Sequence, residues 1–161
     1  MHFRLTSYES HFLNGVIRCY TEAVHQIADD YYSLEERLAW APEAPDMVTW
    51  ASSLSGNKVI LALGAGNEVL GFADYLLQKK NINRLYVLPE AQGKGIGTAL
   101  LASVEQALLA LGLRGVFSLE SSLNARGFYE KNGYSCTGSR TVLFNSMEYR
   151  NLLMEKQILG R

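Results

Sequence analysis

The segment Gln92-Gly93-Lys94-Gly95-Ile96-Gly97 puts three glycines in five residues between an apolar run ending at Leu88-Pro89 and the longest helical pattern in the chain. A strand that turns directly into a helix in this way commits the chain to an α/β arrangement, with a helix N-terminus at the end of a sheet strand. Glycines let successive backbone amides face one point, and a helix N-terminus adds partial positive charge, so anionic phosphate is the ligand class for such a place. Spacing disfavours two common phosphate motifs. A P-loop requires Ser or Thr after Gly-Lys, whereas Lys94 is followed by Gly95. A dinucleotide fingerprint requires glycines at positions one, three and six, and the sixth position from Gly93 is Thr98.

The rest of the chain fits the same architecture. Phe12, Leu13, Val16, Ile17, Tyr20, Val24, Ile27 and Tyr31 recur every three or four residues and predict a first amphipathic helix, preceded by a short strand at 3–5. Ser33 and Glu36 have capping-box spacing for a second helix running to about Trp40, and Asp46 caps a third carrying Met47, Trp50, Ala51 and Leu54. From 59 onward the pattern is a hairpin (59–63 and 69–77), a strand at 82–88, and a helix at 97–111. That helix has the stripe Leu100, Leu101, Val104, Ala107, Leu108 and Leu111, with Gly112 as its left-handed cap. A strand at 116–119, a short helix at 123–132 closed by Gly133, and strands at 134–144 and 152–158 complete it. The expectation is an α/β (α+β) fold, residues 1–161 forming one domain around a mixed sheet of six to seven strands flanked by four to five helices.

Composition removes several function classes. Fifteen Lys and Arg balance sixteen Asp and Glu, without the basic excess that binding to a phosphate backbone needs, so no nucleic-acid partner is expected. The longest apolar runs fall far short of the roughly 20 residues of a membrane span, and the N-terminus leads into no apolar targeting segment. Cys19 and Cys136 have no metal-ligand spacing, His2, His11 and His25 are scattered, and His25 falls off the apolar stripe and reads as solvated. A cytoplasmic protein with no metal and no membrane partner is expected.

The glycine loop reads as Gln-x-x-Gly-x-Gly after a strand ending Leu85-Tyr86-Val87-Leu88-Pro89, and with it the chain resembles the GNAT superfamily of acyl-CoA N-acyltransferases. The resemblance implies that Gln92, Gly93, Lys94, Gly95, Ile96 and Gly97 hold the pyrophosphate of coenzyme A. It also implies that the backbone of Leu85, Tyr86 and Val87 pairs with the pantetheine arm, one amide bonding the thioester carbonyl. A second stretch, 122–134, is similar to the family's later cofactor motif, with Phe128-Tyr129 on a helix and Gly133-Tyr134 opening the next strand. The family's asparagine six residues before the phenylalanine is Ser122 here, with Asn124 at a different phase; both are candidate cofactor contacts. Tyr32-Ser33, Glu36, 39–42, Trp50 and 154–156 extend the resemblance over nearly the whole chain.

What the resemblance implies chemically is acetyl transfer from acetyl-CoA to a primary amine of a small molecule or peptide, by direct attack in a ternary complex. Cys136 is not placed to carry an acyl group. The amine must lose a proton, the carbonyl oxygen must be stabilised, and the departing thiolate needs a proton. Tyr129 is the candidate general acid. Asp74, in an apolar strand, and Glu120, at a strand end, are alternative candidate bases, each with a structural ion pair as its competing role. Asn83 cannot accept a proton, which leaves a water-mediated route open. Tyr31, Tyr32, Trp40 and Trp50 are candidates for lining an acceptor pocket. Two rival functions remain: an acyl-CoA sensor without turnover, and a nucleotide-dependent transferase. A homodimer is compatible with the sequence.

Overall fold

A computed structural model describes residues 1–158 of the chain. Its strands are β1 (Arg4–Ser7), β2 (Lys58–Leu63), β3 (Val69–Leu76), β4 (Asn81–Val87), β5 (Gly115–Ser121), β6 (Ser135–Phe144) and β7 (Met147–Ile158). They form one sheet in the order β1-β2-β3-β4-β5-β7-β6, antiparallel throughout except for the parallel pair β4 and β5. The helices are α1 (Leu13–His25), α2 (Leu34–Trp40), α3 (Met47–Gly56), α4 (Ile96–Ala110) and α5 (Arg126–Lys131). The mixed sheet with its five helices agrees with the fold class expected from the sequence.

Helix starts follow their capping signals. At α2 the Ser33 hydroxyl accepts from the Glu36 amide (3.1 Å) while the Glu36 carboxylate accepts from the Ser33 amide (2.9 Å). At α3 the Asp46 carboxylate accepts from the Thr49 amide (3.1 Å) and hydroxyl (2.8 Å). Helix ends are less faithful to pattern. The apolar period runs on to Tyr31, yet α1 stops at His25, because the Arg37 guanidinium donates to the carbonyls of His25 (2.9 Å) and Ile27 (2.6 Å) and supplies partners that a further turn would otherwise provide. His25, expected to be solvated, is instead half-buried with Nε2 2.6 Å from the Ala41 carbonyl. Leu111, expected on the buried stripe of α4, lies just past its last turn and is exposed. The last strand begins at Met147 rather than 152, because Asn145 and Ser146 take positive φ (48° and 64°) and close a two-residue hairpin turn.

Both faces of the sheet are covered. A Cβ on Gly71 of β3 would touch Ile96 and Leu100, which places α4 on that face. The next residue, Phe72, meets Trp50 of α3 and stacks on Tyr86 of β4, which in turn meets Tyr20 of α1, so α1 and α3 cover the opposite face. Phe72, Phe117, Leu61, Leu100, Leu108 and Met154 are among the fully buried side chains of this core. A smaller cluster of Ile27, Tyr32 and Tyr149, backed by Trp40 and Val142, ties α2 and the segment before it to the last hairpin. Polar bonds reinforce it: the Leu123 amide donates to the Tyr32 hydroxyl (2.8 Å), the Tyr149 hydroxyl to the Glu36 carbonyl (2.6 Å), and the Asn145 amide group to the Ala39 carbonyl (2.8 Å). Among the described residues no helix is long and apolar enough to cross a membrane.

Candidate active site

The sheet forks. β4 and β5 pair only at Asn81 with Ser118 and Ile82 with Leu119, whereas β4 stays paired with β3 up to Val87. The register between β3 and β4 slips at this point, with Asp74 opposite Arg84 and Tyr75 opposite Ile82, so Asn83 is the extra residue of a β-bulge on β4. A bulge bends its strand and re-aims neighbouring side chains. β4 accordingly parts from β5, and the main chain of residues 83–87 has no strand partner on the β5 side. Asn83 and Arg84, although adjacent, both donate to the same carboxylate of Asp74.

Below the fork lies a cleft of about 1040 Å³. β4 contributes Arg84, Leu85 and Tyr86, and β5 contributes Leu119, Glu120 and Ser121; Ser122 and Tyr129 follow from the next segment, and Tyr20, Tyr32, Trp40, Trp50 and Tyr149 supply most of the aromatic wall. Several of these rings meet edge to face, Tyr20 with Trp50 and with Tyr86 at 4.8 Å, and Tyr32 with Trp40 at 5.3 Å, which fixes their orientations.

The glycine loop stands beyond Val87, outside this cleft, at the start of α4. Gly93 and Gly95 have φ of +73° and +85°, and a Cβ on either would meet no protein atom within 4 Å. The loop is therefore glycine for its backbone conformation, and the space over it is open to a ligand. Gln92 Nε2 donates to the Val87 carbonyl (3.1 Å) and Lys94 Nζ to the Glu90 carbonyl (2.7 Å), so both side chains brace the turn. Ile96 is buried beneath it, and the first turn of the fifteen-residue α4 carries no acidic side chain to compete with an anion. Gly97 has a different requirement: a Cβ there would lie 3.1 Å from the Phe128 ring and 3.8 Å from Val87. Through that contact the two cofactor motifs of the sequence meet in space. These features fit a pyrophosphate at the loop and an extended arm along residues 85–87.

Tyr129 sits between the rings of Phe128 (5.0 Å) and Tyr134 (5.9 Å) and lines the cleft. Its hydroxyl makes no hydrogen bond to the described residues, and burial pushes the phenol above the ordinary tyrosine value, so it keeps its proton at neutral pH. Glu120 lies one residue past the last pair of the fork on β5 and faces the cleft, with one oxygen on Arg140 (2.5 Å) and the other accepting from Asn151 (2.9 Å). Asp74 is fully buried and absent from the cleft wall. Its carboxylate accepts from Asn57 (2.8 Å), Asn83 (3.1 Å) and Arg84 (2.6 Å from Nη2), so it stands in a buried ion pair.

Among the other expected site residues, Tyr32, Trp40, Trp50 and Ser122 line the cleft, whereas Tyr31 is 48% exposed and outside it, and Asn124 is exposed and outside it. Tyr31 follows the early end of α1, which turns it to solvent. Asn124 lies in a 3-10 turn, Leu123–Ala125, ahead of α5, one position short of Ala125, which does reach the cleft. Arg84, Arg140, Asn151, Tyr20 and Tyr149 were not singled out from the sequence. A carboxylate in an apolar strand requires a cation nearby, and that requirement was the available signal for Arg84.

A sheet opened between two parallel strands, with an unobstructed glycine loop beside the fork and a buried phenol in the cleft, fits a transferase of the acyltransferase class. Residues 28–155 match the Acetyltransferase (GNAT) domain model, and the chain belongs to that family. It is 33% identical over 138 residues to the peptidyl-lysine N-acetyltransferase YjaB of Salmonella typhimurium, an alignment covering 83% of this chain and 82% of that protein. Its fold is similar to that of a GCN5-related N-acetyltransferase from Rhodopseudomonas palustris, also described as "Aminotransferase, Class-II", with a TM-score of 0.91 and 28% identity over 98% of this chain and 97% of the other. It is also similar to PaiA N-acetyltransferase from Thermoplasma acidophilum, solved in complex with coenzyme A, with a TM-score of 0.81 and 21% identity over 98% and 100% of the two chains.

Proposed function

We propose that residues 1–161 act as one acetyl-CoA-dependent N-acetyltransferase domain that acetylates a primary amine of a small molecule or peptide by direct attack in a ternary complex. The observation that carries this reading is the fork: a stretch of β4 main chain with no strand partner on its β5 side runs from the open glycine loop to a cleft holding both a protonated phenol and a carboxylate. Acetyl-CoA supplies the activated acetyl group, and the chain's own residues do the rest. The loop amides of 93–97 and the N-terminus of α4 hold the pyrophosphate, while residues 85–87 pair with the arm and offer an amide to the carbonyl oxygen as it gains charge. Glu120, at the fork and facing the cleft, takes the amine proton directly or through water; Asp74 is engaged with Arg84 and serves structure. Tyr129 gives its proton to the departing thiolate. With acetyl-CoA as the donor, the compartment proposed for the reaction is the cytoplasm.

The test is thiol release from acetyl-CoA across a panel of amines, with calorimetry of coenzyme A binding. The panel includes a lysine peptide, because the YjaB relative is described as acting on peptidyl lysine. Binding of coenzyme A with an amine-dependent thiol release is expected; absence of coenzyme A binding overturns the reading.

A further inference from the structure

Five charged residues line the cleft: Asp46, Glu120, Lys79, Arg84 and Arg140. Asp46 is engaged as the cap of α3, accepting from the Thr49 amide and hydroxyl. Glu120 is therefore the one carboxylate of the wall not tied to a helix terminus; of the three cations, Arg140 is paired with it and Arg84 with Asp74 behind the wall. An acceptor with several amines needs several carboxylates, and this wall does not provide them.

Arg84 is held in a way that leaves one side of it available. Its Nε and Nη2 donate to Asp74 (3.1 and 2.6 Å), Nη2 also reaches the Ser53 hydroxyl (2.9 Å), and the guanidinium lies 4.7 Å from the centre of the Trp50 ring. Those contacts occupy one edge and one face. Nη1 has no hydrogen-bond partner among the described residues, and no polar side-chain atom of the non-exposed residues is both buried from solvent and unpartnered, so Nη1 is accessible to solvent on a residue that lines the cleft. A guanidinium held on one edge and one face loses little freedom on binding an anion, and the N–H groups left on Nη1 can donate to a carboxylate oxygen. Asp74, dispersed over Asn57, Asn83 and Arg84, positions it. Arg84 lies on one arm of the fork and Glu120 on the other, each within two residues of the last pair of the ladder. Trp50, Tyr20 and Tyr86 form the apolar wall beside them.

We infer that Arg84 is the specificity residue for an anionic group on the acceptor, and that the acceptor is an amine carrying a carboxylate on an apolar or aromatic body, of the amino-acid type. The inference rests on the N-acetyltransferase reading and deepens it. It is tested by direct binding in the presence of coenzyme A, measured by calorimetry or ligand-observed NMR, so that it does not depend on turnover. The probes are matched pairs: phenylalanine with phenethylamine, tryptophan with tryptamine, and lysine with cadaverine, together with a lysine peptide amidated at its C-terminus. At least one carboxylate-bearing member should bind about tenfold or more tightly than its decarboxylated partner, the range for a charge-assisted pair. In Asp74→Asn/Arg84→Gln, which replaces the ion pair as a unit and leaves no buried charge alone, that ratio should fall to near one. Should the double variant not fold, Arg84→Lys, whose single ammonium stays with Asp74, should lower the ratio instead. A ratio near one for every pair, stronger binding by the amidated peptide, or a preference that survives in the variants overturns the inference. Failure of the wild type to bind coenzyme A registers separately, as failure of the acetyltransferase reading.

Discussion

Replacing Tyr129 with Phe isolates a single hydroxyl. The ring keeps its edge-to-face contacts with Phe128 and Tyr134, and the lost oxygen has no hydrogen-bond partner among the described residues. No buried donor or acceptor is left without a partner, so the stability change should stay within about 1 kcal/mol, or roughly 2–4 °C in melting temperature for a chain of this size. The effect on turnover should be of a different order. Burial holds the phenol protonated at neutral pH, and a positioned acid contributes about 10² to 10⁴ in rate. Even the lower figure is about 2.7 kcal/mol of transition-state stabilisation, well above the expected change in folding energy. Because the phenol acts on the leaving thiolate, kcat and kcat/KM for the amine should fall together while acetyl-CoA affinity holds. Steady-state thiol release, calorimetry with acetyl-CoA and a thermal melt on the pair of proteins measure all three quantities. Turnover equal to that of the wild type, with the same melt, would reduce Tyr129 to a packing residue and remove the general acid from the mechanism.

Gly95→Val puts a β-branched side chain at φ +85° and into the open space above the loop, and should weaken coenzyme A binding by about 10²-fold or more in calorimetry; unchanged affinity takes the loop out of the donor site. Glu120→Gln should lower turnover by about 10²-fold and flatten the acidic limb of the pH profile while the melt stays close to that of the wild type. Asp74→Asn should do the reverse in kind, costing about 3 kcal/mol in denaturant unfolding because Arg84 loses its partner in a largely buried setting, and a silent melt contradicts the structural role assigned to it. Burial raises the phenols of Tyr20, Tyr86, Tyr129 and Tyr134 above their ordinary value of 10.0. Above that pH the unfolded chain releases protons that the native chain retains, so the contribution of these phenols to stability should be level below about pH 10 and fall above it; phenolate absorbance that rises for these residues before unfolding goes against it.

The sequence alone determined the elements whose cause is local. Ser33 with Glu36 and Asp46 with Thr49 start their helices through neighbours three residues away, and Gly112 and Gly133 take left-handed φ of +75° and +91° where helices end. The glycine loop was legible for the same reason, since positive φ at Gly93 and Gly95 is a requirement that residue type alone can announce. The resemblance implies cofactor contacts along 85–97 and a role for Tyr129 from position in the motifs, without any knowledge of distance. Everything that required two distant segments to meet was decided by the tertiary structure. Arg37 reaching back to His25 and Ile27 ended α1 early and left Tyr31 outside the cleft that Tyr32 enters. A one-residue bulge at Asn83 opened the fork and aimed Asn83 and Arg84 at one carboxylate. Asp74 and Glu120 read alike along the chain; one was buried against Arg84 and the other left facing the cleft, because the fate of a carboxylate depends on which cation and how much water the folded chain brings to it, and neither is written in its sequence neighbours.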